Sequence, residues 1–163
     1  MGKKEFDYYI FIDYSEDLIG YIILSNRNGN EFLKTISKLN HYKVLKNKKA
    51  YLNSMKKYFN KNKILECLEK HRVTELRNNL ELCSEVFEFC KSRLNSKIFI
   101  SVDDRQYKGF MKLLNTLDGK KAVIVKEGEL KKNSKEYRWS LVIDTLLNLK
   151  RTKRCKVSAS VNA

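Results

Sequence analysis

The chain has 163 residues, enough for one domain with a sizeable hydrophobic core. A hydrophobic content of 42% excludes a disordered protein, and no apolar run reaches the roughly 18 to 20 residues that a membrane span needs. The formal net charge of +15, from 34 Lys and Arg against 19 Asp and Glu, favours a polyanionic partner, most simply DNA or RNA. The alternative is a compositional bias, since Lys and Asn are abundant and Pro is absent.

The cysteines and the N-terminus bear on the cellular compartment. The four cysteines are Cys67, Cys83, Cys90 and Cys155, and no two of them form a C-x-x-C pair of the kind found in zinc and redox sites. The first residues, MGKKEFDYYIFIDYSED, are basic and then apolar, but acids interrupt them, which is unlike a signal peptide. We therefore expect a protein of the reducing cytoplasm that has no membrane contact.

The N-terminal part is predicted to form strands. Residues 6–13 (FDYYIFID) and 20–25 (GYIILS) are rich in β-branched and aromatic residues, and their short separation predicts an antiparallel hairpin. The stretch NRNGN (26–30) predicts a turn. Residues 32–39 are compatible with a short helix or a strand, and residues 41–45 (HYKVL) are a weaker strand candidate.

The middle of the chain, from about residue 50 to residue 94, is predicted to be helical. Apolar residues recur there at helical spacing in three successive segments. Thr74 is the expected N-cap of the last of these helices. We interpret the segment as a helical insertion in a single domain of residues 1–155.

The last third of the chain alternates strand and helix. Residues 97–104 (KIFISVDD) form an apolar strand that ends in two acids, residues 105–117 a helix, and residues 122–128 (AVIVKEG) a second buried strand, which together predict a parallel crossover. A final helix begins after Ser134, a possible cap, and has basic residues at its C-terminal end, where the helix dipole favours them. Residues 156–163 are expected to form a flexible tail.

Acids stand at three places in this order of elements. Asp13 ends the first strand, Asp103 and Asp104 end KIFISVDD, and Asp144 lies on the final helix, off its apolar stripe. This arrangement, over about residues 6–150, resembles the ribonuclease H-like fold, in which acids lie on the first strand, near the end of the fourth strand and on the C-terminal helix. The chain looks most similar to poorly characterised microbial proteins with this fold, which have a similar apolar-Asp-apolar patch late in the chain. The resemblance implies an α/β protein with a mixed sheet, antiparallel N-terminal strands, a helical middle segment and a C-terminal helix.

The resemblance also implies a chemistry for the acids. Asp13, Asp103 or Asp104, and Asp144 would bind two Mg²⁺ or Mn²⁺ ions about 4 Å apart, which neutralise phosphate charge and activate water for phosphodiester hydrolysis. Carboxylate oxygens are the ligands that such hard cations prefer. Each acid also has a structural interpretation. Asp13 would end a strand, either Asp103 or Asp104 would N-cap the following helix, and Asp144 would face solvent.

Basic residues occur in runs that are interleaved with tyrosines. Tyrosine next to Lys or Arg suits nucleic acid, because the ring stacks on bases while the cations bind phosphates. A solvated helix face explains any single run, but it explains all of the runs less well. The predicted nucleic-acid-binding residues are Lys46, Lys48, Lys49, Lys56, Lys57, Lys131, Lys132, Lys150, Arg151, Lys153 and Arg154.

Three functions stay open at this point. The first is a metal-dependent nuclease or a related phosphoryl-transfer enzyme that acts on nucleic acid. The second is a non-catalytic RNA- or DNA-binding module of the same fold. It is favoured because Glu81, Glu85 and Glu88 fall on the polar face of their predicted helix, so that a Glu often found on the helix before the fourth strand has no clear match. The third and weakest is a helical interaction protein whose charge reflects composition alone.

Overall fold

The computed structural model describes residues 5–93, 95–101, 107–112 and 123–161, with the side chains of the last helix described as far as residue 151. Asp103 and Asp104 lie outside these residues. In the described part of the chain, five strands form one mixed sheet. They are β1 (Tyr8–Ser15), β2 (Leu18–Ser25), β3 (Lys70–Glu75), β4 (Ser96–Ile100) and β5 (Val123–Lys126).

The strand order is β3-β2-β1-β4-β5, so β1 lies at the centre of the sheet. β1 pairs antiparallel with β2, which in turn pairs antiparallel with β3. On the other side, β1, β4 and β5 are parallel to one another. The mixed α/β sheet, the N-terminal hairpin and the parallel crossover predicted from the sequence are therefore confirmed.

Helices cover both faces of the sheet. They are α1 (Gly29–Thr35), α2 (Lys48–Asn62), α3 (Asn79–Ser92), α4 (107–112) and α5 (Lys135–Val161). On one face, α1, α2 and α5 pack through side chains such as Phe32, Met55 and Trp139. On the other face, α3 and α4 pack through Phe87 and Phe110. Among the described helices, none is long and apolar enough to cross a membrane.

α5 begins and packs as its sequence predicts. The Ser134 hydroxyl accepts a hydrogen bond from the N–H of Tyr137, which makes Ser134 the N-cap. The predicted apolar stripe is buried at Trp139, Val142 and Ile143, and it packs on the face formed by β1 and β2. The helix does not end near residue 155 as predicted. It continues to Val161, because residues 150–161 contain neither Pro nor Gly and extending an existing helix is easy.

Two further predictions are corrected by the structure. The segment 50–94 is not helical throughout, since it contains the edge strand β3, and Thr74 is a strand residue rather than an N-cap; Asn78 precedes α3 instead. Val73 and Thr74 are β-branched, and their pairing with β2 overrides the weak helical periodicity. HYKVL is not a strand, because residues Tyr42–Val44 form a short 3-10 turn between α1 and α2.

A close approach explains why β2 contains a glycine. A Cβ atom on Gly20 would lie 2.9 Å from side-chain atoms of both Val73 on β3 and Ile143 on α5. Only glycine leaves room for these two side chains. The approach brings α5 down onto the sheet next to Asp13, which pairs with Gly20 across the hairpin.

Candidate active site

Three polar residues lie side by side across the sheet, just after the point where the parallel pairing of β1, β4 and β5 ends. Ile12, Ile100 and Lys126 occupy equivalent positions in β1, β4 and β5. The residues one step further along each strand are Asp13, Ser101 and Glu127. The N–H of Ser101 donates to the carbonyl of Ile12 at 2.9 Å, which continues the ladder by one step. Carboxyl ends of parallel strands are where α/β sheets place their ligand sites.

Asp144 reaches the same place from α5. Asp144, Asn148 and Arg151 have the i, i+4, i+7 spacing that puts side chains on one face of a helix. The main-chain N–H of Tyr42 donates to Oδ2 of Asp144 at 3.0 Å. The Nδ2 group of Asn148 donates to the carbonyl of Asp144 at 2.8 Å. Asp144 lies off the apolar stripe of its helix, but it is only partly exposed to solvent.

Burial and neighbouring carboxyl groups raise the pKa of two of these acids, Asp13 and Glu127. Asp13 is 9% exposed, and burial together with the charges of Glu127 and Asp144 raises its pKa to about 7. Burial also raises the pKa of Glu127, and the charge of Asp144 adds to that effect. Ser101 hydrogen-bonds to both Asp13 and Glu127, which partly offsets the rise in both pKa values. Between described side chains, no ion pair within 4 Å neutralises any of these three acids.

A cavity of about 530 Å³ opens over these residues. Four acids line it, namely Asp13, Glu16, Glu127 and Asp144. Three cations also line it, Lys43, Lys48 and Arg151, and we call these three the basic wall. A cavity lined by both carboxylates and cations suits a ligand that carries both a metal ion and phosphate groups.

The basic wall is organised around Tyr42. The Lys48 Nζ atom lies 5.1 Å from the centre of the Tyr42 ring, and the Arg151 guanidinium lies 5.3 Å from it, both within cation–π range. Arg151 also donates to Oε1 of Glu16 at 3.3 Å and to the Ser15 hydroxyl at 3.4 Å. These contacts hold Lys48 and Arg151 beside the Tyr42 ring in the cavity lining.

A second cavity of about 320 Å³ adjoins the first. His41, Ser101 and Glu127 line both cavities, and Lys132 and Tyr137 line only the second. The concave surface therefore extends past Glu127 along the start of α5.

The predicted site residues fall into three groups. Asp13 and Asp144 are brought to one cavity, while Asp103 and Asp104 lie outside the described residues. Of the predicted basic residues, Lys48 and Arg151 line the main cavity and Lys132 lines its neighbour. The others with described side chains are exposed and line neither cavity, namely Lys46, Lys49, Lys56, Lys57, Lys131 and Lys150. The side chains of Lys153 and Arg154 are not among those described.

Sequence reasoning missed Glu127, Ser101 and Lys43. The signal for Glu127 was present, because it directly follows VIVK, just as Asp13 follows YYIFI. Two parallel strands of a crossover end at the same edge of the sheet, so an acid after each of them is expected to meet the other. Lys43 had no such signal, since its place depends on how the segment between α1 and α2 folds.

The glutamates of α3 have a different role from the acids of the cavity. Arg72 on β3 makes an ion pair with Glu81 at 3.1 Å and another with Glu85. The Tyr21 hydroxyl donates to Glu85 at 2.9 Å. Neither glutamate lines the cavity.

The geometry of the acids suits cations that are shared with a substrate. No three His, Cys, Asp or Glu side chains among the described residues surround a single ion position. Mg²⁺ usually takes only one or two carboxylates and completes its shell with water and substrate phosphate oxygens. Asp13, Glu127 and Asp144 fit that requirement, because they are clustered, partly buried and not paired with a described cation.

No protein-family model matches the chain, and no curated protein is significantly similar to it in sequence. Two solved structures are similar in fold. The ribonuclease H2 of Pyrococcus horikoshii OT3 superposes with a TM-score of 0.58 over 94% of this chain and 76% of that one, at 14% identity. The ribonuclease HII in a complex with PCNA from Archaeoglobus fulgidus superposes with a TM-score of 0.55 over 93% of this chain and 75% of that one, at 10% identity. The chain therefore has a ribonuclease H-like fold, as its order of elements predicted.

Proposed function

We propose that this protein is a metal-dependent nuclease, or a related phosphoryl-transfer enzyme, that acts on DNA or RNA. One observation carries the proposal. Carboxyl groups from β1, the end of β5 and α5 line one cavity, with no described side chain ion-paired to them, and three cations line the same cavity. A purely structural role does not explain why three acids share one cavity, with the pKa values of Asp13 and Glu127 raised by burial and by neighbouring carboxyl groups.

The proposed cofactor is Mg²⁺ or Mn²⁺, and Asp13, Glu127 and Asp144 are its proposed ligands, with one or two of these carboxylates to each ion. When bound, such ions supply charge neutralisation at the phosphate and an activated water. The chain's own contribution is to hold the carboxylates in place through Ser101 and Tyr42. Asp103 and Asp104 follow Ser101 closely in the sequence, and we keep them as proposed further ligands.

The proposed substrate contacts are of two kinds. Lys43, Lys48 and Arg151 in the basic wall would bind the phosphates next to the acids. The exposed lysines of α2, and Lys46 just before it, would attract phosphates of the nucleic-acid backbone further from the acids. The net charge of +15 would add to this long-range attraction. The similarity in fold to two proteins named as ribonucleases supports a nucleic-acid substrate.

A second candidate function is a non-catalytic module of the same fold that binds RNA or DNA. The engagement of Glu81 and Glu85 with Arg72 favours it, since α3 then adds no acid to the cavity. In that case, the basic wall would bind nucleic acid and the acids would not act on it.

The experiment that separates the two is a cleavage assay on labelled single- and double-stranded DNA, RNA and hybrid, with Mg²⁺ or Mn²⁺. Wild type is compared with Asp13→Asn and with Asp7→Asn, an exposed acid just before the same strand. We expect metal-dependent cutting by wild type and Asp7→Asn, but none by Asp13→Asn. If wild type and both variants bind nucleic acid tightly and in a salt-sensitive way but do not cut it, the nuclease proposal is wrong and the binding module is favoured.

A further inference from the structure

The segment that joins α1 to α2 passes beside the cavity and contacts Asp144. We call residues 40–47 the strap. Its first turn places the main-chain N–H of Tyr42 3.0 Å from Oδ2 of Asp144, although the two residues are 102 positions apart in the chain. A carboxylate on a helix surface rotates freely unless something holds it, and here a main-chain donor does so.

The strap is itself anchored at both ends. The Tyr51 hydroxyl accepts a hydrogen bond from the N–H of Asn40 at 2.9 Å and donates to the Asn40 carbonyl at 3.1 Å. At the other end, Asn47 caps α2 by accepting from the N–H of Ala50 at 3.1 Å. Just before the strap, Leu39 is buried. The Tyr42 N–H therefore points at Asp144 from a backbone that has little freedom to move.

We propose that the Tyr42 main-chain N–H is the positioning group for Asp144 in the proposed metal site. The hydrogen bond to Oδ2 fixes the orientation of the Asp144 carboxylate, which would then present its remaining acceptor positions, including Oδ1, to a cation. The proposal rests on the proposed function for the identity of the ligand, a divalent cation, but the contact itself is independent of catalysis. Hydrogen bonds of this kind to a metal-ligating carboxylate commonly change metal affinity or activity by about 10- to 100-fold.

The backbone geometry of the strap allows a selective test. Tyr42→Pro removes the N–H, and proline is tolerated at the first residue of a helical turn. His41, which precedes it, has φ −68° and ψ 126°, the extended conformation that a residue before proline requires. Tyr42→Ala is the matched control, because it removes the same ring and keeps the N–H. Any effect of losing the ring is common to both variants.

The first measurement is Mn²⁺ affinity by electron paramagnetic resonance or calorimetry, together with kcat and KM for cutting. Relative to Tyr42→Ala, we expect Tyr42→Pro to bind Mn²⁺ about 10-fold more weakly and to lower kcat by about 10- to 100-fold, with KM unchanged. Equal Mn²⁺ affinity and equal kcat in the two variants would overturn the proposal, as would a wild type that binds no Mn²⁺.

The outcomes for the proposed function are separable from these. If wild type cuts no substrate but Tyr42→Pro still weakens Mn²⁺ binding, the positioning role stands and the nuclease fails. If wild type cuts and the two variants are alike, the nuclease stands and the positioning role fails.

A second measurement applies even if Tyr42→Pro does not fold. Hydrogen exchange of the Tyr42 amide is compared by NMR in wild type and in Asp144→Ala. We expect exchange at least about 10-fold faster in Asp144→Ala at this amide, while the amides of β1 and β2 are unchanged. Unchanged exchange at Tyr42 would show that the hydrogen bond does not hold, and would overturn the proposal.

Discussion

Two groups of acids in this molecule are placed in opposite electrostatic situations. On the α3 face, Glu81 and Glu85 pair with Arg72, and Glu85 also accepts from the Tyr21 hydroxyl. On the α5 face, burial and neighbouring carboxyl groups raise the pKa values of Asp13 and Glu127, and neither makes an ion pair with a described side chain. The first group stabilises the fold. The second opposes folding at neutral pH, and such an arrangement is typical of a site kept for function.

Asp13→Asn is expected to give the largest effect and to separate stability from activity. Cutting should fall by about 10³-fold, in the range seen when a main electrostatic contributor to catalysis is removed. At pH 8 without divalent ions, the free energy of unfolding should rise by up to about 4 kcal/mol, because a buried charge at a pKa of about 7 instead of 3.8 no longer has to form. Kinetic assays measure the loss of cutting, and urea unfolding measures the free energy of unfolding. If Asp13→Asn were less stable than wild type at pH 8, the Asp13 carboxylate would not be destabilising as we infer.

Glu127→Gln is expected to lower cutting by about 10²-fold, because it removes a charge next to Asp13 and Asp144. Glu129→Gln is the matched control, since Glu129 lies two residues later and is exposed. Single-turnover assays with saturating Mn²⁺ measure the difference. Equal activity in the two variants would show that Glu127 does not contribute to cutting.

The pH dependence of metal binding is expected to follow Asp13. Since a proton and a cation compete for its carboxylate, Mn²⁺ affinity should rise about tenfold per pH unit below pH 7 and level off above it, given the pKa of about 7. Stability without metal has the opposite trend. The folded-state pKa lies above the unfolded value, so the free energy of unfolding falls as pH rises from about 4 to 7, and Asp13→Asn abolishes this fall. Calorimetry and urea unfolding across pH 5–9 measure the two trends.

Glu85→Ala tests the paired group of acids. We expect a loss of about 1–2 kcal/mol in the free energy of unfolding, because Arg72 and Tyr21 lose a shared partner at a half-exposed position. Cutting should be unchanged. A large loss of cutting with normal stability would place α3 in the site after all.

The smallest effects are expected from the basic residues, and they depend on position. Lys48→Ala should weaken nucleic-acid binding and reduce the slope of log K against log salt by about 0.7–0.9, the contribution of one phosphate contact. Lys57→Ala, which is exposed on α2 and lines neither cavity, should lower affinity less and leave kcat unchanged. Binding titrations from about 50 to 300 mM salt measure the slope for each variant. Identical slopes would show that Lys48 contacts phosphate no more directly than Lys57 does.

Much of the fold was predictable from local pattern. The β-branched and aromatic residues of the N-terminal part predicted β1 and β2, and the apolar stripe of α5 predicted which side of that helix is buried. Asp13 and Asp144 were identified from their places in the predicted order of elements, at the end of the first strand and on the final helix. The strand β3 was missed because a segment of only six residues is too short for its periodicity to distinguish a strand from a helix.

By itself, the sequence determined the hairpin, the strand–helix–strand order, the basic charge and two of the acids, because these depend on neighbouring residues and on composition. Only the tertiary structure decided that Ser101 and Glu127 lie in one row with Asp13, and that the strap donates an N–H to Asp144. Those relations depend on strand register and on contacts between residues far apart in the chain. Register is set by pairing and burial of the whole sheet, which no local pattern contains.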